Sequence, residues 1–192
     1  GLDPDLVFRA IARLERMDPD KDFDLQYVQT PAEAAQMLAA GKVDVAVLSE
    51  PPATAAIMMA GQKGRALKRV LNLNALWGAH KGKARIPMVG VALHQKLIDT
   101  APELVTALAG GLRVSRDHVF ADRKAAAALA EKTMDMKPQL FEKAFDHFNI
   151  DVVSAASVKG ELVAFYEALL ELEPASLDGK LPPDDFYMDL PG

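Results

Sequence analysis

The chain contains no cysteine. This absence excludes a disulfide scaffold, a thiol nucleophile and any zinc or iron–sulfur site with cysteine ligands. It leaves the redox compartment open, because a thiol-free chain folds in oxidising and reducing surroundings alike.

The longest apolar runs are a few residues, whereas a helix needs roughly 20 to span a bilayer. No signal peptide is present, and the chain opens Gly1-Leu2-Asp3-Pro4 at a helix start. This opening predicts a processed or truncated chain.

Several functional motifs are also missing. The net charge of −5 argues against a protein built to hold nucleic acid. Neither a phosphate-binding glycine loop nor a G-x-S-x-G or H-E-x-x-H motif occurs. The histidines are too far apart in sequence for any two to share adjacent helical turns, so we predict no metal site and no cofactor. They are His80, His94, His118 and His147.

The first part of the chain shows an alternation of helix and strand patterns. With 192 residues and 50% hydrophobic content, the chain forms one large domain or two small lobes. Capping residues and prolines mark several helix starts, such as Thr30 with Glu33 three positions later. Repeated helix–strand alternation is typical of βαβ units, so we predict an α/β fold with a parallel sheet. The predicted strands are residues 23–28, 43–48, 67–73 and 86–93.

The second half of the chain carries helix patterns almost without interruption. Their apolar stripes must be buried. The helices either pack on each other as a bundle or cover a second sheet that this sequence does not contain, and we favour the second reading.

Helix N-termini that follow predicted strands are the candidate binding site. They expose unpaired N–H groups and a partial positive charge, and in parallel sheets they gather at the carboxyl edge. The candidates are Asp3, Thr30, Ser49 and Glu50, although each of them also fits a simple capping role. Glu50 could pair with a cationic ligand group or hold the chain where it crosses between lobes. Trp77 could stack on a ligand or belong to the core.

A short basic run follows the predicted site. A solvated face explains it better than an anion-steering patch. Its residues are Lys63, Arg65, Lys68 and Arg69, followed by Lys81, Lys83 and Arg85.

The order of these features resembles a known family. Residues 4–10, 23–28, 30–47 and the pair Glu50-Pro51 are similar to the second lobe of type II periplasmic binding proteins, the substrate-binding proteins of ABC importers. The nitrate/sulfonate/taurine and thiamine-precursor group is the most similar branch. Further on, residues 89–93 and 102–105 resemble its crossing strand and following helix, and the tail 180–187 resembles its endings. Members carry a first-lobe segment before this point that is absent here.

The resemblance implies a two-lobed, type II periplasmic-binding-protein-like α/β fold. Residues 1–85 would form mostly the second lobe, 86–93 the crossing strand or hinge, and 94–192 a helix-rich part packing on the first lobe. Residues 49–52 would be a further hinge element. The implied protein is not an enzyme: it captures a small polar or anionic molecule in an interlobe cleft and presents it to an ABC permease. It would be periplasmic or extracytoplasmic, with an N-terminal membrane anchor as one option, and would bind no nucleic acid.

Three other interpretations stay open. The first is an enzyme on the same fold, of the thiamine-precursor or menaquinone-pathway type, with Glu50 and His94 as candidate titratable groups. The second is a ligand-sensing regulatory domain. The third is a helical protein with a small sheet, in which the resemblance is accidental. The charge of the ligand is also open, because helix ends favour an anion whereas Glu50 and the net charge of −5 do not.

Overall fold

The computed structural model describes residues 4–82, 85–87 and 89–190. The structure is 61% helical, and within these ranges no residue belongs to a β-strand. Its α-helices are α1 (Pro4–Leu14), α2 (Pro19–Asp22), α3 (Pro31–Ala40), α4 (Pro52–Gln62), α5 (Leu73–His80), α6 (Gln95–Thr100), α7 (Pro102–Ala121), α8 (Arg123–Met134), α9 (Pro138–Ala144) and α10 (Lys159–Leu172). Short 3-10 turns span Phe145–His147, Pro174–Leu177 and Asp184–Phe186.

The predicted α/β fold with parallel sheets is therefore wrong. The described residues of the segments 23–28, 43–48 and 86–93 belong to neither helices nor strands, and in the fourth segment Leu73 begins α5. Most of these residues are free of turns, and residues 43–48 make no backbone hydrogen bond in the described chain. A strand needs a partner as well as a propensity, and the apolar runs alone do not supply one.

The helix start marked by Thr30 and Glu33 is confirmed: the Thr30 hydroxyl caps α3 by accepting a hydrogen bond from a first-turn N–H. Asp122 caps α8 in the same way. The start of α5 was not predicted, because its cap, Asn72, lies in the segment predicted as a strand. Prolines occupy the first helical position of α3, α4 and α9, where their missing N–H costs nothing.

Contacts divide the chain into two compact units. Unit 1 comprises the described residues of Gly1–Leu25, Leu71–Gly110 and Val152–Gly192, and unit 2 comprises Gln26–Val70 and Gly111–Asp151. The chain thus passes from one unit to the other four times. The predicted ranges 1–85 and 94–192 each contribute to both units.

The core of unit 1 is formed by α1, α5 and α10. Ile11 of α1, Trp77 of α5 and Phe165 of α10 are almost fully buried in one cluster. The rings of Trp77 and Phe165 meet edge to face with centroids 5.6 Å apart. This geometry is the favourable one for aromatic pairs.

Unit 2 contains two helix pairs. Helices α3 and α4 pack through small residues, among them Ala35, Ala39, Ala56 and Ala60, all of which are buried. Helices α8 and α9 pack through Ala127 and Ala130 against Phe141 and Phe145.

The apolar faces of the later helices differ in how far they are buried. Phe141 of α9 and Phe165 of α10 are buried, whereas Leu104, Leu108 and Leu112 of α7 are 55%, 41% and 37% exposed. Within the described ranges, no helix combines the length and apolarity that crossing a membrane requires.

Candidate functional site

Thr30 lies at the N-terminus of α3, in unit 2, and its side chain is engaged in a capping box. Its Oγ1 accepts the N–H of Glu33 at 3.1 Å, and Glu33 Oε2 accepts the N–H of Gln29 at 3.1 Å. This arrangement contributes about 1 kcal/mol to helix stability. A role for Thr30 in ligand contact stays a prediction.

Glu50 forms the polar centre of the N-terminal end of α4, also in unit 2. Its Oε2 accepts from the backbone N–H of Thr54 at 3.1 Å and from the Thr54 hydroxyl at 2.7 Å. Its Oε1 accepts from Nε and Nη2 of Arg69 at 2.9 and 2.5 Å. The cation that pairs with Glu50 is thus an arginine of this chain, and both carboxylate oxygens are occupied.

The backbone N–H groups in the first turn of α4 are also either absent or already hydrogen-bonded. Pro51 and Pro52 have no N–H, and the N–H of Ala53 bonds to the carbonyl of Ser49 at 3.0 Å. With Thr54 bound to Glu50, the first turn of α4 offers no free N–H to an anion. The half-buried Ser49 forms no side-chain hydrogen bond in the described structure, so its hydroxyl remains available.

Arg69 is the residue that the sequence reasoning missed. It belongs to the basic run that was interpreted as a solvated face. Its Nη2 also donates to Thr54 Oγ1 at 2.6 Å, and Thr54 is only 4% exposed. The side chain of Arg69 is 37% exposed, and its Nη1 has no partner in the described chain. Two N–H donors of a fixed guanidinium therefore remain unused.

The sequence pattern gives no local signal for Arg69. Alternation over residues 65–69 would place Arg65, Leu67 and Arg69 on one face, but Arg69 is exposed whereas Arg65 and Leu67 are half-buried. The Arg65 Nη1 atom reaches the carbonyl of Ala39 at 3.5 Å, at the C-terminus of α3. Cations are favourable at that end of a helix.

Trp77 belongs to the core of unit 1 and is 1% exposed. It packs against Phe165, and the Lys81 ammonium lies 5.6 Å from its ring centroid. Its Nε1–H is buried without a hydrogen-bond acceptor, as is the hydroxyl of Tyr187 in the same unit. Burial raises the pKa of the Tyr187 phenol. Of the two alternatives for Trp77, the core role is the one that the structure displays.

The remaining candidate residues lie outside the described chain or in unit 1. Asp3 lies outside the described residues. His94 is in unit 1, where its Nδ1 accepts the N–H of Lys96 at 3.1 Å and caps α6. His80 contacts Glu15 at 2.7 Å. Within the ranges that the structure covers, no three histidine or acidic residues are grouped as a metal site would require.

Comparison with known proteins adds no relative: no family model, curated protein or solved structure matches this chain.

Proposed function

We propose that this chain is a non-catalytic solute-binding protein that captures a small anion for an ABC importer. The observation that carries the proposal is the guanidinium of Arg69, which is held in place by Glu50 and Thr54 and keeps its Nη1 donors unused.

A fixed guanidinium suits a small oxyanion. The two N–H groups of Nη1 can each donate to a carboxylate, sulfonate or phosphate oxygen, and such charge-assisted hydrogen bonds are the stronger ones. Because Glu50 and Thr54 already restrict the side chain, less rotamer freedom is lost when an anion binds. The pair Arg69–Glu50 is neutral as a whole, so the anion would be recognised through directional hydrogen bonds more than through net charge.

The surrounding charge supports an anion over a cation. In residues 63–69 there are four cationic side chains, and Arg69 is the one that pairs with a carboxylate in the described structure. Lys63, Arg65 and Lys68 therefore have no carboxylate partner in the described chain. Their positive field attracts anions at moderate ionic strength.

In the proposed delivery role, the bound anion shifts the population of conformers, and a membrane partner recognises the shifted state. No parallel sheet contributes to this proposal, since the described chain has none.

The experiment is a calorimetric titration with sulfate, phosphate, nitrate and ethanesulfonate at constant ionic strength. We expect at least one of these anions to bind the wild-type protein. Arg69→Lys keeps the charge but loses the Nη1 donors, so the affinity should fall about tenfold, the loss of roughly one charge-assisted hydrogen bond. Arg113→Lys is the matched control: Arg113 is a unit 2 arginine without a carboxylate partner in the described structure, and its exchange should leave binding unchanged.

Two further measurements test the wider role. Hydrogen exchange should slow at the amides near Arg69 when the anion is present at saturating concentration. Mass spectrometry should recover the solute unchanged. A chemically altered solute would replace this proposal with the enzyme interpretation, and equal affinity in wild type and Arg69→Lys would remove its structural basis.

A further inference from the structure

Two non-helical segments of unit 2 leave their backbones unpaired. Residues 43–48 connect α3 to α4, and residues 66–70 follow α4. In the described chain neither segment makes a backbone hydrogen bond, and residues 45–49 and 65–70 contain no turn or bend. A run of unpaired N–H and C=O groups on a nearly straight chain is a template for pairing with another strand.

The same segments expose large apolar side chains. Val45 is 81% exposed, Val47 is 38% exposed and Val70 is 85% exposed. All three are β-branched residues, which favour strands because they pack well on a pleated surface. Exposing these valines to water is unfavourable, and a docked strand that buries them would remove this cost.

Two arginines tie these segments together at both ends. Arg65 lies against Gly41 and the carbonyl of Ala39, just before the first segment, and Arg69 binds Glu50, just after it. These two contacts anchor Arg65 and Arg69 to residues that flank the first segment on both sides. This fixed arrangement reduces the ordering cost of docking a strand.

Charge indicates what kind of strand fits. The exposed ammonium groups of Lys42, Lys63 and Lys68 have no carboxylate partner in the described structure, against a single unpaired acid, Asp44. A strand with acidic residues at its ends is complementary to this surface. A second copy of the chain would bring the same lysines together, and like charges at close range are unfavourable.

We propose that residues 43–48 and 66–70 form a docking edge for an extended strand of a different polypeptide, one that alternates apolar residues and carries acidic residues at its ends. Main-chain hydrogen bonds would supply the register, and the exposed valines would receive the apolar side chains, as in strand addition to an open edge. This proposal uses the backbones and the exposed valines of the two segments and not the Nη1 donors of Arg69, so it extends beyond the proposed solute binding.

The probe is a fluorescein-labelled heptapeptide, Glu-Val-Thr-Ile-Thr-Val-Glu, with capped ends, followed by fluorescence anisotropy. Two control peptides separate the contributions. One carries N-methyl groups on alternate amides, which removes backbone donors but keeps the side chains. The other carries Lys in place of both Glu.

The matched protein variants are Val45→Pro and Val153→Pro. The N–H of Val45 has no acceptor in the structure, so proline there removes no internal bond, only a donor to the docked strand. Val153 is an exposed non-helical residue of unit 1 whose N–H has no acceptor either, which makes it a control for proline itself. Circular dichroism should show both variants folded.

We expect the parent peptide to bind and to protect the amides of residues 45–48 from hydrogen exchange. N-methylation and Val45→Pro should each weaken binding about tenfold or more, and Val153→Pro should not. The Lys peptide should bind more weakly than the parent, most clearly at low salt.

Three outcomes would overturn the proposal. They are no binding at about 1 mM peptide, equal binding of the parent and N-methylated peptides, and concentration-dependent dimerisation that Val45→Pro abolishes. The last outcome would assign the edge to a second copy of the chain.

Discussion

The guanidinium of Arg69 donates two hydrogen bonds, from Nε at 2.9 Å and from Nη2 at 2.5 Å, to the same oxygen of Glu50. The other Glu50 oxygen accepts from Thr54 in the first turn of α4. One carboxylate thus joins a helix start to a segment 19 positions away in sequence.

Removing this carboxylate should destabilise unit 2. Glu50→Ala leaves Arg69 unpaired and the buried Thr54 without its acceptor, at an expected cost of about 2 kcal/mol in the free energy of unfolding. Urea unfolding followed by circular dichroism measures this. Asp44→Ala, which removes an exposed and unpaired acid, is the control and should change the free energy by less than about 0.5 kcal/mol. Equal effects of the two variants would mean that the Glu50 contacts contribute nothing.

Gly41 and Gly64 distinguish two reasons why a position requires glycine: a positive φ and a lack of space for a Cβ. Both have a positive φ, 73° and 72°, which strains any other residue. A Cβ on Gly41 would also collide with the Arg65 guanidinium, whereas one on Gly64 meets nothing within 4 Å. We expect Gly64→Ala to cost about 1 kcal/mol and Gly41→Ala to cost more.

The additional destabilisation by Gly41→Ala, relative to Gly64→Ala, should disappear in an Arg65→Ala background. Comparing Gly41→Ala in the wild type and in Arg65→Ala by urea unfolding measures that coupling. If the two glycine variants cost the same in wild type, the Arg65 side chain moves aside freely.

Glu161 should make unit 1 acid-sensitive. The side-chain hydrogen bonds from Arg85, at 2.9 and 3.0 Å, lower the pKa of Glu161 below its ordinary value of 4.5. Because the pKa is lower in the folded state than in the unfolded state, this stabilisation is complete above pH 4.5 and is lost as the pH falls through the folded-state pKa.

The measurement is the unfolding free energy of wild type and Glu161→Gln across that acidic range. The two proteins should differ most near neutral pH and converge in acid. Glu167→Gln, an exposed position on the same helix, should show no such convergence. A constant difference at every pH would contradict the ion-pair origin.

Trp77 should behave as a buried reporter of unit 1. At 1% exposure its emission should be blue-shifted and resistant to acrylamide quenching, and urea should shift it to the red. Addition of a bound anion should leave the emission almost unchanged, because the ring packs against Phe165 and not on a ligand surface. Strong quenching by acrylamide in the native protein would contradict the core position.

The helices of this protein could be read from local chemistry. Thr30 with Glu33, and the prolines at the starts of α3, α4 and α9, act within one turn, so neighbouring residues suffice to predict them. The later helices were expected to cover a sheet that this sequence lacks, but Phe141 and Phe165 are buried against residues of this chain.

The site was less predictable. Glu50 was noticed because it opens a helix, but its partner Arg69 was not, since an ion pair across 19 positions leaves no periodic signal. Trp77 was left between two roles, because an aromatic residue in a short segment fits a core and a ligand surface equally well.

The sequence by itself determined where several helices begin, such as α3 at its Thr30 cap, and which of their faces are apolar, because capping and 3.6-residue periodicity depend on near neighbours. Tertiary structure alone decided that residues 43–48 and 66–70 stay unpaired, that Arg69 binds Glu50, and that Trp77 enters a core. Each of these depends on which distant backbone or side chain lies within hydrogen-bond or van der Waals range, and local pattern carries no information about that distance.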